Sequence, residues 1–460
     1  MADGGAPPRA PGGAAPGVAS GVVHVVGAGM AGLSAALCLA EQGRAVQLWE
    51  AAGHAGGRVR SFHDAVLDRV IDNGSHLILT GNGAVARFRA RARAAEDALV
   101  AAPQASFPMV DLAASGPARR FTLALNRGPL PWWIASPARR VPGTGVRDYL
   151  RGWRLAVAPA HATVADAVRD RGPLWRAFWE PMTLGVLNTT PERGQARLLW
   201  RVLAETFARG AGPSRPMFAP GGLDGALVAP AVAQLHALGV PVGFNRMLKA
   251  IQRDRGRAQA LVVGEERLAL GDGDSVILAL PPARLRKLMP ELDPPGDEGA
   301  ILNAHFRVAD PAAIAHVAPL TGVIGALAQW VFRRGDVLSV TVSAADRLGI
   351  LATPREEVQS QIWREVRAAL GLPDDLGVVG RVIVEKRATF DQSPAGVAQR
   401  LGPRTALANV ILAGDATDTG LPATIEGALR SGETAAGLVA EGRIPGVGSR
   451  IGALSTDGTG

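Results

Sequence analysis

The run Gly27-Ala28-Gly29-Met30-Ala31-Gly32 follows directly on the β-branched segment Val22-Val23-His24-Val25-Val26, and a helical pattern continues from Ala31 to about Gln42. Strand, glycine turn and helix in this order make a phosphate cradle: Gly27 permits the tight turn, Gly29 lets backbone approach a pyrophosphate, and Gly32 lets the helix pack closely on the strand. Met30 and Ala31 open the helix, whose first N–H groups have no intrahelical acceptor and favour anions. A second strand, Ala45 to Trp49, ends in Glu50. An acidic side chain at that distance accepts hydrogen bonds from ribose hydroxyls and repels a 2′-phosphate. The chemistry read from these residues is the binding of a dinucleotide without that phosphate.

The chain continues as Gly53-His54-Ala55-Gly56-Gly57-Arg58-Val59-Arg60-Ser61. A second glycine pair followed by arginine resembles the pyrophosphate segment of the FAD-dependent amine-oxidase and carotenoid-desaturase flavoproteins. Gly56 and Gly57 would then pass the phosphates, and the Arg58 guanidinium would offer paired donors to their oxygens; the alternative is a plain surface charge. Val70-Ile71-Asp72-Asn73-Gly74-Ser75-His76 resembles the segment that reaches the isoalloxazine ring. It assigns Asn73, Gly74 and Ser75 to the cofactor, although Ser75 stands where the resemblance leads one to expect glutamine. His76 is either a proton donor near the flavin or a histidine satisfied by backbone groups. Near the far end, Val410-Ile411-Leu412-Ala413-Gly414-Asp415 and Gly420-Leu421-Pro422-Ala423-Thr424-Ile425-Glu426-Gly427 resemble a strand ending at the ribityl chain and a helix N-terminus at the flavin pyrimidine edge. Gly414, Asp415, Pro422, Ala423 and Thr424 are the residues this implies, and the strand near Leu248 is the one implied to read the adenine.

Within that superfamily, Asp72-Asn73-Gly74-x-His76, Ile301 to Val308, Ala328 to Phe332 and Glu385-Lys386-Arg387-Ala388-Thr389-Phe390 resemble the hydroxysqualene dehydroxylases, with similarity running from Val22 to about Leu438. Ala416 departs from it, where an aromatic usually follows Gly-Asp. The resemblance implies an FAD enzyme that removes the hydroxyl of hydroxysqualene, an isoprenoid lipid, as water and delivers a hydride to give squalene, drawing on an unidentified electron donor. Such chemistry asks for a proton source, a dry apolar tunnel and aromatic faces able to stabilise cationic character; Trp330 and Phe332 are candidates for the last. Rival readings are a carotenoid-type desaturase, a non-catalytic flavin or prenyl-lipid binder, and an amine oxidase. The last is disfavoured because Tyr149 is the only tyrosine.

At 460 residues the chain exceeds one core. The expected fold is α/β: a Rossmann-like FAD-binding domain with a parallel βαβ sheet, over 21–82, 216–292 and 409–441, interwoven with an α+β substrate domain. The substrate domain would take a helical stretch, 83–215, and a strand-rich one, 293–408. Residues 1–20 read as a disordered tail with no signal peptide or anchor, and 442–460 as a loose one.

Net charge is +8, carried almost wholly by arginine, since Lys249, Lys287 and Lys386 are the only lysines. The arginines are scattered, which argues against nucleic acid and for attraction to anionic lipid. A single cysteine, Cys38, within a helical pattern excludes disulfides and a cysteine metal site and fits a reducing, cytoplasmic compartment; no metal is expected. Residues 313–332 carry no formal charge until Arg333-Arg334, yet their Gly and Pro content and the alternating run Val337 to Val342 predict a β-hairpin, not a membrane span. Pro129-Leu130-Pro131-Trp132-Trp133-Ile134 beside Arg139, Arg140, Arg147, Arg151 and Arg154 is either a membrane interface, with the enzyme peripheral on the inner face of the cell membrane, or a solvated basic face beside core tryptophans. Trp175, Phe178, Trp179, Met182 and Leu184 read as core.

Overall fold

The structure, a computed structural model, describes residues 21–113 and 118–442. The expected tails lie outside these residues, apart from Gly442. Five parallel strands form the first sheet in the order Val242–Gly243, Ala45–Trp49, Val22–Val26, Ser275–Leu278 and Val410–Leu412. Its central strand is buried on both faces, with Val23 and Val25 on one and His24, bonded to the Trp49 indole, beside Val26 on the other. The helix Met30–Glu41 is buried from Met30 through Leu39, so it is a core helix rather than an amphipathic surface one. It crosses the helix Ile425–Ala440 at very short range: a Cβ on Gly432 would sit 2.2 Å from the Ala31 carbonyl oxygen. Fully buried Leu33, Leu37 and Leu39 on this helix contribute roughly 1.5–3 kcal/mol each.

A seven-stranded sheet forms the second half, in the order Val378–Glu385, Ile301–Val308, Val337–Val342, Trp330–Arg334, Leu320–Ile324, Ser106–Asp111 and Arg119–Ala124. The predicted hairpin is present: Trp330–Arg334 pairs antiparallel with Val337–Val342. No helix among the described residues is long and apolar enough to cross a membrane. Two features depart from the sequence-based layout. The helix Gly83–Arg91 packs Ala84, Val85 and Phe88 into the core of the first sheet, and the span read as helical contains the strands Ser106–Asp111 and Arg119–Ala124. Their partner Leu320–Ile324 pairs with Ser106–Asp111 in parallel, a long-range match that local periodicity does not display.

The faces of this sheet follow from strand alternation. Leu302, Ala304, Phe306, Leu338, Val340 and Val342 point to one side and pack on the helix Arg355–Leu370. That helix offers Val358, Ile362, Val366 and Ala369, a stripe at helical spacing, and Trp363 lies 5.1 Å from Phe306. The odd-numbered residues of the same strands are left on the opposite side, under the segment Trp175–Leu187 and the helix Ala196–Glu205.

Candidate active site

At the glycine turn, Gly27 adopts φ +103°, and its N–H donates to the Trp49 carbonyl at 2.7 Å. A Cβ on Gly32 would lie 1.8 Å from the Gly27 carbonyl oxygen, so the helix can approach only without a side chain there. Gly29 has the opposite environment: nothing lies within 4 Å of its missing Cβ. That open volume beside the first residues of the helix, Met30 and Ala31, is shaped to admit a phosphate. Glu50 is fixed beside it, its carboxylate accepting from the Ala28 N–H at 2.7 Å and the Ala52 N–H at 2.8 Å. The Glu50 carbonyl in turn accepts from Arg246 N–H at 2.8 Å, which leads the chain to Leu248. Leu248 is buried, pairs with Val263, and its carbonyl accepts from Arg284 at 2.7 Å.

The second glycine pair docks on the first turn. Gly56 N–H donates to Ala28 O at 2.8 Å and Gly57 approaches the Gly29 backbone. Arg58 then spans to the other end of the chain: its guanidinium makes a 2.6 Å ion pair with Asp415 and donates to Ala388 O at 2.6 Å. Asp415 follows Gly414, which adopts φ +98° at the end of the strand Val410–Leu412. The helix Ile425–Ala440 begins nearby, N-capped by the Thr424 hydroxyl, which accepts from Gly427 N–H at 3.1 Å. Ala423 N–H is committed to the Gln392 side chain at 3.0 Å, and Pro422 has no N–H to offer; the first turn of the helix supplies the remaining donors at this end. Glu426, buried in that turn, binds outward to Ala84 and Val85 N–H and to Arg430 at 2.9–3.1 Å, thereby capping the helix Gly83–Arg91 from another element.

Beyond these segments a cavity of about 240 Å³ opens between the halves. Asn73, Gly74, Ser75, His76, Ala423 and Thr424 stand at one end. Its floor is the odd-numbered face of the large sheet. Asn303 faces Thr341 across one strand pair, and Trp330 pairs with Thr341 across the next. Thr341 Oγ1 donates to Asn303 Oδ1 at 3.0 Å, Asn303 Nδ2 donates to Asn73 O at 3.2 Å, and Asn73 Nδ2 reaches Glu385 Oε2 at 3.5 Å. The remaining wall is apolar, with Phe107, Met109, Phe178, Met182, Phe207 and Phe332. Phe178 belongs with Trp175 and Trp179 to the core cluster and Met182 packs against it, as the sequence predicts, and both in addition line the cavity.

Three acids touch the cavity, and they differ. Glu205 and Glu426 are held by Arg430. Glu385 makes no ion pair among the described residues and accepts only neutral N–H donors, Asn73 Nδ2 and Arg387 N. His76 is half-buried at the cavity edge. Desolvation holds its imidazole below the ordinary value, Asp72 pulls it back up, the Arg58 guanidinium lowers it, and a backbone hydrogen bond at Arg58 raises it. The ring is therefore neutral near pH 7, a hydrogen-bonding group more than a source of protons. Farther along the same face of the sheet, fully buried His305 shares a 2.8 Å hydrogen bond with Ser339, and burial lowers its pKa to about 4 against the pull of Asp72.

Glu385, Asn303 and Thr341 were not singled out as site residues from sequence. For Glu385 the available signal is a charged residue ending the β-branched run Val382-Ile383-Val384.

The family model for flavin containing amine oxidoreductase matches residues 30–440. The chain belongs to that family. Among curated relatives, hydroxysqualene dehydroxylase of Rhodopseudomonas palustris is 43% identical over 91% of this chain and 98% of its own, and that of Sinorhizobium fredii is 41% identical over 90% and 97%. Among solved structures, cyclohexylamine oxidase from Brevibacterium oxydans aligns with TM-score 0.69 at 16% identity, covering 92% of this chain and 99% of its own. Putrescine oxidase aligns with TM-score 0.64 at 16% identity, over 91% and 99%. The α/β fold expected from sequence is thus that of the family's oxidases, and the enzyme is an FAD-dependent oxidoreductase. The open space over Gly29, the glycine turn against it and the Glu50 carboxylate suit a dinucleotide running from Leu248 toward Asn73.

Proposed function

We propose that this enzyme replaces the hydroxyl of hydroxysqualene with hydrogen, giving squalene and water. The observation that carries the reading is identity of 38–43% over about nine tenths of the chain with proteins named hydroxysqualene dehydroxylase. The cavity agrees in chemistry: its apolar wall suits an isoprenoid chain, and its polar end holds an acid.

In this reading FAD is held along Gly27, Gly29, Gly32, Gly56, Gly57 and Arg58, with Glu50 on the ribose, Leu248 at the adenine, Gly414 and Asp415 at the ribityl chain, and Asn73 to Ser75 with Pro422 to Thr424 about the ring. Bound and reduced, FAD supplies the hydride. The protein supplies the rest. Glu385 is the acid placed to hand a proton to the departing hydroxyl, so that it leaves as water, with Asn73 orienting the carboxyl group. Phe332 and Trp330 offer aromatic faces to the cationic carbon as the C–O bond breaks. His76, neutral, orients the hydroxyl. Two electrons leave with each product, so a separate electron donor must recharge the cofactor. The sole tyrosine does not compete for an amine-oxidase role: Tyr149 packs at 5.1 Å from Trp133 and accepts from Val141 N–H at 2.9 Å, away from the cavity lining.

Anaerobic mixing of chemically reduced enzyme with hydroxysqualene tests this. The flavin absorbance returns and squalene appears in equal amount. No reoxidation with hydroxysqualene, together with reduction of the oxidised enzyme by phytoene or squalene, would replace the dehydroxylase reading with a desaturase.

A further inference from the structure

Among the described residues, several exposed large hydrophobic side chains gather in residues 130–157. The chain there runs helical from Val146 through Val157 without a break, since the backbone at Leu150, Arg151, Trp153 and Arg154 is right-handed helical throughout. Along it, Val146, Leu150, Trp153 and Val157 recur at intervals of four, three and four, the spacing of one helix face. All four are exposed, at 37%, 57%, 60% and 55%. The opposite face is the buried one: Leu155 is fully enclosed, and a Cβ on Gly152 would lie 2.5 Å from Trp179. The helix is thus apolar on both sides, one against the protein and one against solvent. Trp132, 69% exposed, and Leu130, 59% exposed, extend the patch from the preceding turn, which the Trp133–Tyr149 contact holds in place.

Cations border the apolar stripe. Arg139, Arg147 and Arg154 are exposed, and among the described residues none of them makes an ion pair, whereas Arg151 is neutralised by Asp170 at 2.5 Å. Exposed tryptophan and leucine flanked by uncommitted arginine complement a bilayer surface, whose acyl boundary takes the rings while its phosphates take the guanidinium groups. The acids at this rim, Asp148 and Asp170, lie beside Arg151, so the charge left over is that of Arg139, Arg147 and Arg154, and a protein partner or a second copy of this chain would need anionic groups beside its own apolar surface to match it.

We propose that the stripe Val146, Leu150, Trp153 and Val157, with Trp132, seats the enzyme on an anionic lipid surface. Its position gives the contact a use. Tyr149 on the inner side lies 6.1 Å from Phe178, and Phe178 lies 6.3 Å from Phe207; both phenylalanines line the cavity. One helix thickness of aromatic packing separates lipid from cavity, a short path for a water-insoluble substrate. That use rests on the isoprenoid reading above; the docking itself does not.

Flotation of the FAD-loaded enzyme with vesicles of phosphatidylglycerol and phosphatidylcholine, against phosphatidylcholine alone, measures the contact without turnover. The enzyme floats with the anionic vesicles. The triple variant Trp132→Ser, Leu150→Ser, Trp153→Ser binds at least tenfold more weakly. Arg147→Glu with Arg154→Glu removes the preference for anionic lipid, about fivefold per charge. Flavin absorbance and turnover of detergent-dispersed substrate stay at the parent level in both variants, which shows that they fold. A parent enzyme that stays with the soluble fraction, or a triple variant that floats as the parent does, overturns the proposal. So does a parent dimer that the triple variant splits, because the stripe would then be a subunit contact.

Discussion

Replacing Glu385 by glutamine removes the side chain's capacity to transfer a proton while leaving almost everything else in place. Glutamine keeps an oxygen for the Asn73 amide, and that contact, at 3.5 Å, is long enough that its perturbation costs well under about 1 kcal/mol. No ion pair is broken among the described residues. FAD content is therefore unchanged, and the melting temperature stays within roughly 2 °C of the parent. The chemical step suffers differently, because an alcohol leaves as water only if a proton arrives. Loss of a positioned general acid costs about 10²–10⁴ in rate, or roughly 3–5 kcal/mol at the barrier. The assay is single-turnover flavin reoxidation with pre-reduced enzyme, which isolates that step from recharging and product release. Glu385→Ala with added formate should recover part of the lost rate, which a purely structural residue would not do. A Glu385→Gln enzyme that turns over within threefold of the parent would refute the assignment and return the role to the hydroxyl and imidazole groups around His76.

Arg58→Leu strips the 6%-exposed Asp415 carboxylate of its 2.6 Å cation, so the FAD-free protein should lose about 1–3 kcal/mol of stability, and FAD content measured by absorbance should fall as well; full occupancy with parent stability would remove Arg58 from the groove. His305 governs acid sensitivity. Its folded pKa of about 4 is below the ordinary 6.5, so the unfolded chain binds the proton first: stability is complete above pH 6.5, declines as pH falls toward 4 and levels off beneath it. The full decline is about 3 kcal/mol, and His305→Gln should flatten the melting temperature against pH in that window. Trp330→Leu keeps an apolar, smaller side chain and removes the ring; turnover should drop about tenfold with FAD still bound, and unchanged turnover would exclude a role for the indole.

Those parts of the site that depend on local spacing were legible in the sequence. The turn from Gly27 to Gly32 and the acid at Glu50 fall within one βαβ unit, where strand, glycine and helix signals are consecutive. The hairpin from Trp330 to Val342 was equally plain, because alternation and the Arg333-Arg334-Gly335-Asp336 turn are adjacent in sequence. Glu385, Asn303 and Thr341 were not legible, since their meeting depends on the register of three strands, two of which pair across dozens of residues. Phe178 and Met182 pack in the core, as their pattern predicts, and also line the cavity; an aromatic stripe looks the same whether it packs against protein or against a cavity.

The same register accounts for why the chain is interwoven. A one-residue slip of Ile301–Val308 against its neighbours would turn Asn303 and His305 into the core and Leu302, Ala304 and Phe306 into the cavity. The helix Arg355–Leu370 prevents this by filling the even-numbered face, with Trp363 against Phe306. The floor of the cavity is thus fixed from behind by hydrophobic packing. Its position relative to the glycine turn is set by polar links between the two halves: Asn303 to the Asn73 carbonyl, Arg334 to Asp72 at 2.7 Å, and Arg58 to the Ala388 carbonyl. In the proposed reaction, the groove that would hold FAD and the Glu385 carboxyl on the floor belong to different sheets. Their separation is therefore a property of these links, and weakening Arg334 to Asp72 should impair turnover before it impairs FAD binding.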